Sequence, residues 1–374
     1  TFFPFVFPFH NFPFLFPSLS LSENGSLNAN HSQSVVHFEI HQIQYHKHGD
    51  PSEVLSLATV PFALPAELAP SSVLVRWVAS PVNPVDLFII EGTYPIEPPQ
   101  MPAIGGCEGV GVVEEIGGDV EKVKVGDRVI RQPIFSGPDV GRGVWTELAL
   151  MDQASLLPIH TGIDLVLAAT LGINFPTAFA MLRHIVPLEK GDFLVQNASN
   201  CGVGRAVIQL ANYFGYHTIN LVRNRREIDA LKDELKALGA DFVFSEEEFE
   251  KADAKSLPKP RLALDCVGGR SALLLSSALS KGDTIISYGQ LSNKSAEIAE
   301  GINSHFFSIG KWVGNSANGE KVRKMFGELQ KLALSGRIKA QPHKINSLEN
   351  YGKAMKNAIG CGVKQILMIS PENE

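Results

Sequence analysis

Asp192-Phe-Leu-Val-Gln-Asn-Ala-Ser-Asn-Cys-Gly-Val-Gly204 is the stretch whose reading decides the fold. It opens as a short apolar run and turns small and polar. It then leads into Val203, Val207, Leu210 and Phe214, the i, i+4, i+7, i+11 spacing of a helix facing a core. A buried strand therefore gives way to a helix through a tight turn. Backbone N–H groups at such a helix start can hold a pyrophosphate, the context a dinucleotide site requires. Against the pattern G-x-G-x-x-G, Ser199 and Cys201 stand for the first two glycines and Gly202 and Gly204 remain. Taken alone, the stretch is equally a strand-to-helix turn with no ligand.

Downstream, the buried strands HTINLVR (217–223), DFVF (241–244), RLALDCV (261–267) and GDTIISYG (282–289) alternate with amphipathic helices, which predicts a parallel, doubly wound sheet. Ala168 to Ile185 reads as one helical run. About 20 residues past the glycines, at the end of the second strand, the chain has Arg223-Asn224-Arg225-Arg226 in place of an acid. A guanidinium grips phosphate bidentately and keeps its charge, so these arginines suit a ribose 2′-phosphate and favour NADPH over NADH. The alternative is that they open the next helix on a solvated face.

Upstream the period changes to two. Val36, Phe38 and Ile40 share one face, as do Val73, Val75, Trp77 and Ala79, and short segments at 109–116, 125–131 and 144–150 follow between Gly-rich turns. This is the spacing of a small antiparallel barrel. After about residue 335 the chain returns to short strands (KINS, KQILMIS) around one helix and so re-enters the first unit. The expected organisation is α/β, with a barrel unit of residues 35–160 and 335–374 and a doubly wound unit of residues 161–334. The total of 374 residues suits two domains at roughly 150 residues each.

Tyr94 stands in Glu91-Gly-Thr-Tyr-Pro95, on a Pro-rich loop following Asn83-Pro-Val-Asp86. A phenol with an ordinary pKa near 10 carries a proton at neutral pH that it can donate in a transition state. The commoner role of such a tyrosine is to anchor a loop. Cys107, in Gly105-Gly-Cys-Glu-Gly109, occupies the place where zinc-dependent relatives of this layout have a His-Glu pair, and Asp86 has no Cys beside it, so no zinc site is expected. The other cysteines, 201, 266 and 361, have neither CxxC spacing nor a paired framework, so reduced thiols in small-residue packing are expected.

Composition narrows the function classes. Hydrophobic residues at 44% against 19% charged place the chain among folded globular proteins. A net charge of −6 leaves no bulk positive field for nucleic acid or anionic lipid. The opening TFFPFVFPFHNFPFLFP has prolines too frequent for a membrane-spanning helix, and no Lys or Arg precedes Lys47, so no charged leader is evident. Residues 18–34 are Ser/Asn-rich, and the first 34 residues are set aside as non-structural.

Taken together, NPVD (83–86), EGTYP (91–95), ATLGINFPTA (169–178), QNASNCGVGRAVIQ (196–209), INLVRNR (219–225), PRLALDCVGG (260–269), ISYGQL (286–291) and KQIL (364–367) resemble the mitochondrial trans-2-enoyl-CoA reductases, a zinc-free branch of the medium-chain dehydrogenase/reductase superfamily. The resemblance runs from about Val36 to Ile369. It implies a GroES-like catalytic barrel beside a Rossmann cofactor unit. It also implies reduction of enoyl-CoA or enoyl-acyl carrier protein by NADPH in mitochondrial fatty acid synthesis, and a homodimer. Tyr94 matches the family's proton donor. Its cofactor contacts fall here on Asn174, Asn200, Cys201, Gly202, Val203, Arg223, Asn224, Arg225, Tyr288, Gly289, Gln290, Leu291, Lys311, Trp312, Val313 and Lys364. The chain departs from the family at Cys107 (often Asn), Cys201 (Ser), Asn224 (Asp) and Lys311-Trp312 (Phe-Trp). A lysine at 311 either alters chain-length preference or points to solvent. An NADPH quinone reductase of the same superfamily and a non-catalytic NADPH-binding regulator are the other readings, and the EGTYP tyrosine weighs against both.

Overall fold

The computed structural model describes residues 36–133, 139–252, 257–359 and 362–372. The first 34 residues and Cys361 lie outside the described residues. In chain order come β1 (Val36–Tyr45), α1 (Pro51–Val54), β2 (Leu55–Leu64), β3 (Ser72–Pro81), α2 (Pro84–Glu91), β4 (Ala103–Ile104), β5 (Val110–Ile116), β6 (Arg128–Arg131), β7 (Leu148–Asp152) and β8 (Leu156–Pro158). Next are α3 (Leu165–Ala169), α4 (Asn174–His184), β9 (Phe193–Gln196), α5 (Gly202–Phe214), β10 (His217–Val222), α6 (Ile228–Ala237), β11 (Phe242–Ser245), α7 (Glu246–Lys251), β12 (Pro260–Asp265) and α8 (Gly269–Ser277). The last are β13 (Thr284–Ser287), β14 (Asn303–Phe306), α9 (Ile309–Gly314), α10 (Gly319–Leu334), β15 (His343–Ser347), α11 (Tyr351–Asn357) and β16 (Lys364–Met368).

The strands from β9 onward form a parallel sheet in the order β11-β10-β9-β12-β13-β14. Numbered within that unit the order is 3-2-1-4-5-6, the doubly wound Rossmann arrangement, with the crevice beyond β9 and β12 where the strand order reverses. Its inner strands β9, β10 and β12 are buried on both faces, as an apolar run between helix layers requires. β14 is an addition to the sequence reading. Its residues Asn-Ser-His-Phe are all exposed, so no apolar period marks them, and only the ladder to β13 makes them a strand.

The barrel unit consists of a three-stranded sheet, β2-β1-β4, and a larger one, β15-β16-β3-β5-β6-β8, with β7 also paired to β3. The chain's last strand, β16, pairs antiparallel with β3. The core of this unit gathers around Trp77 and Trp145, both fully buried. Gly105 and Gly106 lie flat on the Trp145 ring; an added Cβ would come within 2.3 Å and 2.4 Å of it.

The helical run expected from Ala168 to Ile185 is instead two helices, α3 and α4, parted by a turn at residues 170–173. The break has a polar cause. The Ile173 N–H leaves the helix ladder to donate to Glu108 Oε2 at 2.7 Å, and Gly172 lets the chain approach, since a Cβ there would meet Glu108 and the Arg131 carbonyl at 3.0 Å. Beyond the break, α4 packs against α5 and α10 and joins the two units through a shared core.

Candidate active site

A cavity of about 520 Å3 opens where the barrel unit faces the C-terminal ends of β9, β12 and β13. One wall is the turn 198–204. Ala198 holds a positive φ of 44°, an uncommon conformation for a residue with a side chain. Cys201 caps α5, its sulfur accepting from the Gly204 N–H at 3.3 Å. Gly204 packs so closely that a Cβ would lie 2.7 Å from the Ser199 backbone, while one at Gly202 would touch the tip of Asn174, 2.9 Å from Oδ1. Gln196, buried below, donates to the Gly204 carbonyl and to Asn220 and pins this turn to the sheet.

The opposite wall is α2 and the loop after it. Asn83 and Asp86 form a capping box, with the Asn83 N–H donating to Asp86 Oδ2 at 2.7 Å and Pro84 in the first turn. The helix ends at Gly92, which takes φ 75°, and the Thr93 and Tyr94 N–H groups both turn back to the Phe88 carbonyl. This cap aims Tyr94 into the cavity. Burial raises the Tyr94 pKa above the ordinary phenol value, and the Ser308 hydroxyl, which can donate to a phenolate, works in the opposite direction. Tyr94 thus keeps its proton at neutral pH.

Asn83 and Lys364, which line the cavity, lead into a buried charged cluster. Lys364 Nζ donates to Asn83 Oδ1, Asn83 Nδ2 donates to Glu108 Oε1 at 2.8 Å, and the Cys107 N–H donates to Asp86 Oδ1 at 2.7 Å. Burial pushes Glu108 up to about 7 against the pull of Lys364 and Asn83, and it also raises Asp86. Lys364 is lowered by burial and held up by Glu108 and Asp86. Among the described residues no three His, Cys, Asp or Glu side chains are grouped to hold a metal ion.

Of the residues singled out from the sequence, Tyr94, Asn174, Cys201, Gly202, Val203, Tyr288, Gly289, Gln290, Leu291 and Lys364 line this one cavity. Asn200, Arg223, Asn224 and Arg225 lie off its lining. Arg223 and Asn224 are exposed on the loop after β10, and Arg225 is half-buried there. Arg225 is lowered first by burial and then by the charges of Arg223 and Arg205, so three guanidiniums share one corner. Arg205 has a carboxylate partner in Glu234, whereas among the described residues Arg223 and Arg225 have none. An uncompensated cationic corner of this kind fits a phosphate. Lys311, Trp312 and Val313 also lie off the lining, on α9; Lys311 is exposed to solvent, Val313 is buried, and Trp312 stacks on His184 with ring centroids 5.2 Å apart.

Sequence reading missed Asn83, Thr177, Cys266, Phe307 and Ser308, which also line the cavity. Asn83 was within reach as the N-cap before Pro84. Thr177 and Cys266 stand inside the ATLGINFPTA and PRLALDCVGG stretches without a site role assigned to them, while Phe307 and Ser308 belong to no motif and arrive through the fold of a distant segment.

Residues 69–161 match the alcohol dehydrogenase GroES-like domain. The chain has an 0.80 TM-score to the solved complex of Etr1p with NADP and crotonyl-CoA, at 24% identity over 88% of this chain and all of that one, a likeness of fold. A mitochondrial enoyl-acyl-carrier-protein reductase from Xenopus tropicalis is 38% identical over 84% of this chain and 90% of the relative. One from Caenorhabditis elegans is 41% identical over 337 residues, 87% of this chain and 94% of the relative. With a Rossmann sheet, a GroES-like barrel and this identity over nearly the full length of its relatives, the chain belongs to the mitochondrial enoyl-acyl-carrier-protein reductase family of the medium-chain dehydrogenase/reductase superfamily.

Proposed function

We propose that this protein reduces trans-2-enoyl thioesters, carried on CoA or on acyl carrier protein, to the saturated acyl thioesters with NADPH, as a homodimer in mitochondrial fatty acid synthesis. The observation that carries the reading is that Tyr94, from the barrel unit, and the start of α5, from the Rossmann unit, line one cavity from opposite sides. The division into a catalytic unit (35–160 with 335–374) and a cofactor unit (161–334) is supported by sheet membership, since β15 and β16 pair into the sheet of β3.

NADPH, when bound, supplies a hydride. The turn 198–204 offers N–H groups and a helix start for its pyrophosphate, Asn174, Tyr288 to Leu291 and Lys364 lie within the same cavity, and Arg223 and Arg225 suit the 2′-phosphate. A conjugated thioester accepts hydride at C3 because the negative charge spreads to the thioester oxygen, and the resulting enolate takes a proton at C2. Tyr94 holds that proton, and burial keeps the hydroxyl protonated until the enolate forms. Holding both donors in one walled space converts their encounter with the olefin into an intramolecular event.

The test is a pair of NADPH-oxidation assays run side by side, with crotonyl-CoA and with a simple quinone. Faster turnover of crotonyl-CoA is the expected result, and faster quinone turnover would assign the chain to the quinone reductase reading.

A further inference from the structure

Cys201 and Cys266 are free thiols that line the same cavity. They meet because β9 and β12 are neighbours in the sheet, with Leu264 opposite Gln196, so that both chains leave the sheet at the same edge. The Cys266 N–H donates to Asn197 Oδ1 at 3.0 Å, which ties its backbone to the turn that leads to Cys201. Tyr288 lines the cavity with them.

We propose that Cys201 and Cys266 form a peroxide-reactive thiol pair in the wall of the cavity, which closes to a disulfide and shuts the dinucleotide out. Cys201 is the attacking sulfur. It is partly exposed, sits at the start of a 13-residue helix and accepts the Gly204 N–H. The neighbouring Cys266 thiol, with that N–H, draws its pKa down to about 6, whereas Cys201 and burial push Cys266 up. The Cys201 thiolate attacks a hydroperoxide oxygen, the O–O bond breaks, and the leaving hydroxide (or alkoxide) takes up the proton that the Cys201 thiol gave up on ionising, so that sulfenic acid and water (or an alcohol) result. The Cys266 sulfur then displaces hydroxide from the Cys201 sulfur, its own proton leaving with that hydroxide as water. Two thiols lose two electrons and two protons in all, and the peroxide receives both; a dithiol reverses the step.

The disulfide takes from Gly204 its capping acceptor and draws the turn 198–201 toward β12, so the closing of the cavity rests on the cofactor reading above. The experiment treats the full chain with hydrogen peroxide, alkylates the remaining thiols and maps peptides without reduction, alongside a fluorescence titration with NADPH before and after. The expected result is a cross-link between the Cys201 and Cys266 peptides that dithiothreitol reverses and saturating NADPH slows, with NADPH affinity of the cross-linked form lower by about tenfold or more. In Cys266→Ser the cross-link disappears and dimedone captures Cys201 as the sulfenic acid. Oxidation at Cys107 alone, both thiols remaining open to alkylation, or a cross-link that leaves NADPH affinity unchanged would each overturn the proposal. If the reduced chain fails to bind NADPH at the outset, the cofactor reading fails, and the peptide map still decides the thiol pair.

Discussion

Asn83 donates its side-chain amide to Glu108 Oε1 at 2.8 Å, and Glu108 receives a second donor, the Ile173 N–H, on its other oxygen. Two donors facing two oxygens suit a carboxylate, whereas burial favours the neutral acid, and the balance falls at about 7. Glu108 therefore titrates near neutrality. Because its folded-state pKa lies above the ordinary 4.5, its contribution to stability is fully present below about 4.5 and is lost as pH rises through about 7. Glu108→Gln, which cannot titrate, should trail the wild type most at low pH, the gap narrowing by about 1–3 kcal/mol between those values. Thermal melts of both proteins across that window check it; parallel curves would remove Glu108 as the titrating group.

Tyr94→Phe removes only the hydroxyl. The loop is held by the Gly92 cap and by backbone bonds to the Phe88 carbonyl, so it should keep its place and NADPH should still bind. Turnover of an enoyl thioester should fall by about 10²- to 10⁴-fold. Steady-state kcat with a parallel NADPH titration reads both, and near-normal kcat would take the proton-donor role from Tyr94.

Arg223→Ala with Arg225→Ala should weaken NADPH by roughly 10- to 100-fold and NADH far less, since a charge-assisted hydrogen bond to phosphate contributes about 1.5–3 kcal/mol. The two arginines have no carboxylate partner among the described residues, so their loss leaves no buried acid behind. Kd values for both coenzymes decide it. Equal losses would mean that the pair does not read the 2′-phosphate.

Two glycines in the turn should respond differently to a methyl group. Gly204→Ala drives a Cβ to 2.7 Å from the Ser199 backbone, which cannot move without breaking the strand-to-helix turn, and should cost about 1–3 kcal/mol of stability. Gly202→Ala meets the amide tip of Asn174, a side chain that can rotate, and should affect the coenzyme KM more than the melting temperature. Chemical denaturation of both variants, with coenzyme titration, separates the two effects. A Gly204→Ala protein as stable as the wild type would contradict the packing argument.

Much of the doubly wound half is legible in the chain because local period carries it: runs buried on both faces, amphipathic helices between them, and a basic pair at the second strand's end. The places where reading fails share a cause. β14 is exposed throughout and is a strand only by its pairing with β13, and α3 and α4 are separate helices because Glu108, far away in sequence, claims the Ile173 N–H. Neither partner leaves a mark on the segment it alters.

The sequence by itself determined the alternation of strands and helices, the tight turn at Gly202 and Gly204, and the basic pair Arg223 and Arg225 past a strand end, since periodicity, turn chemistry and charge act over a few residues. Only the tertiary structure decided which of these meet. Lys364 reaches Asn83 across 281 positions, and Cys266 joins Cys201 in one cavity wall because their strands are neighbours. Such meetings depend on strand order and register, which the whole core sets at once and no short segment encodes.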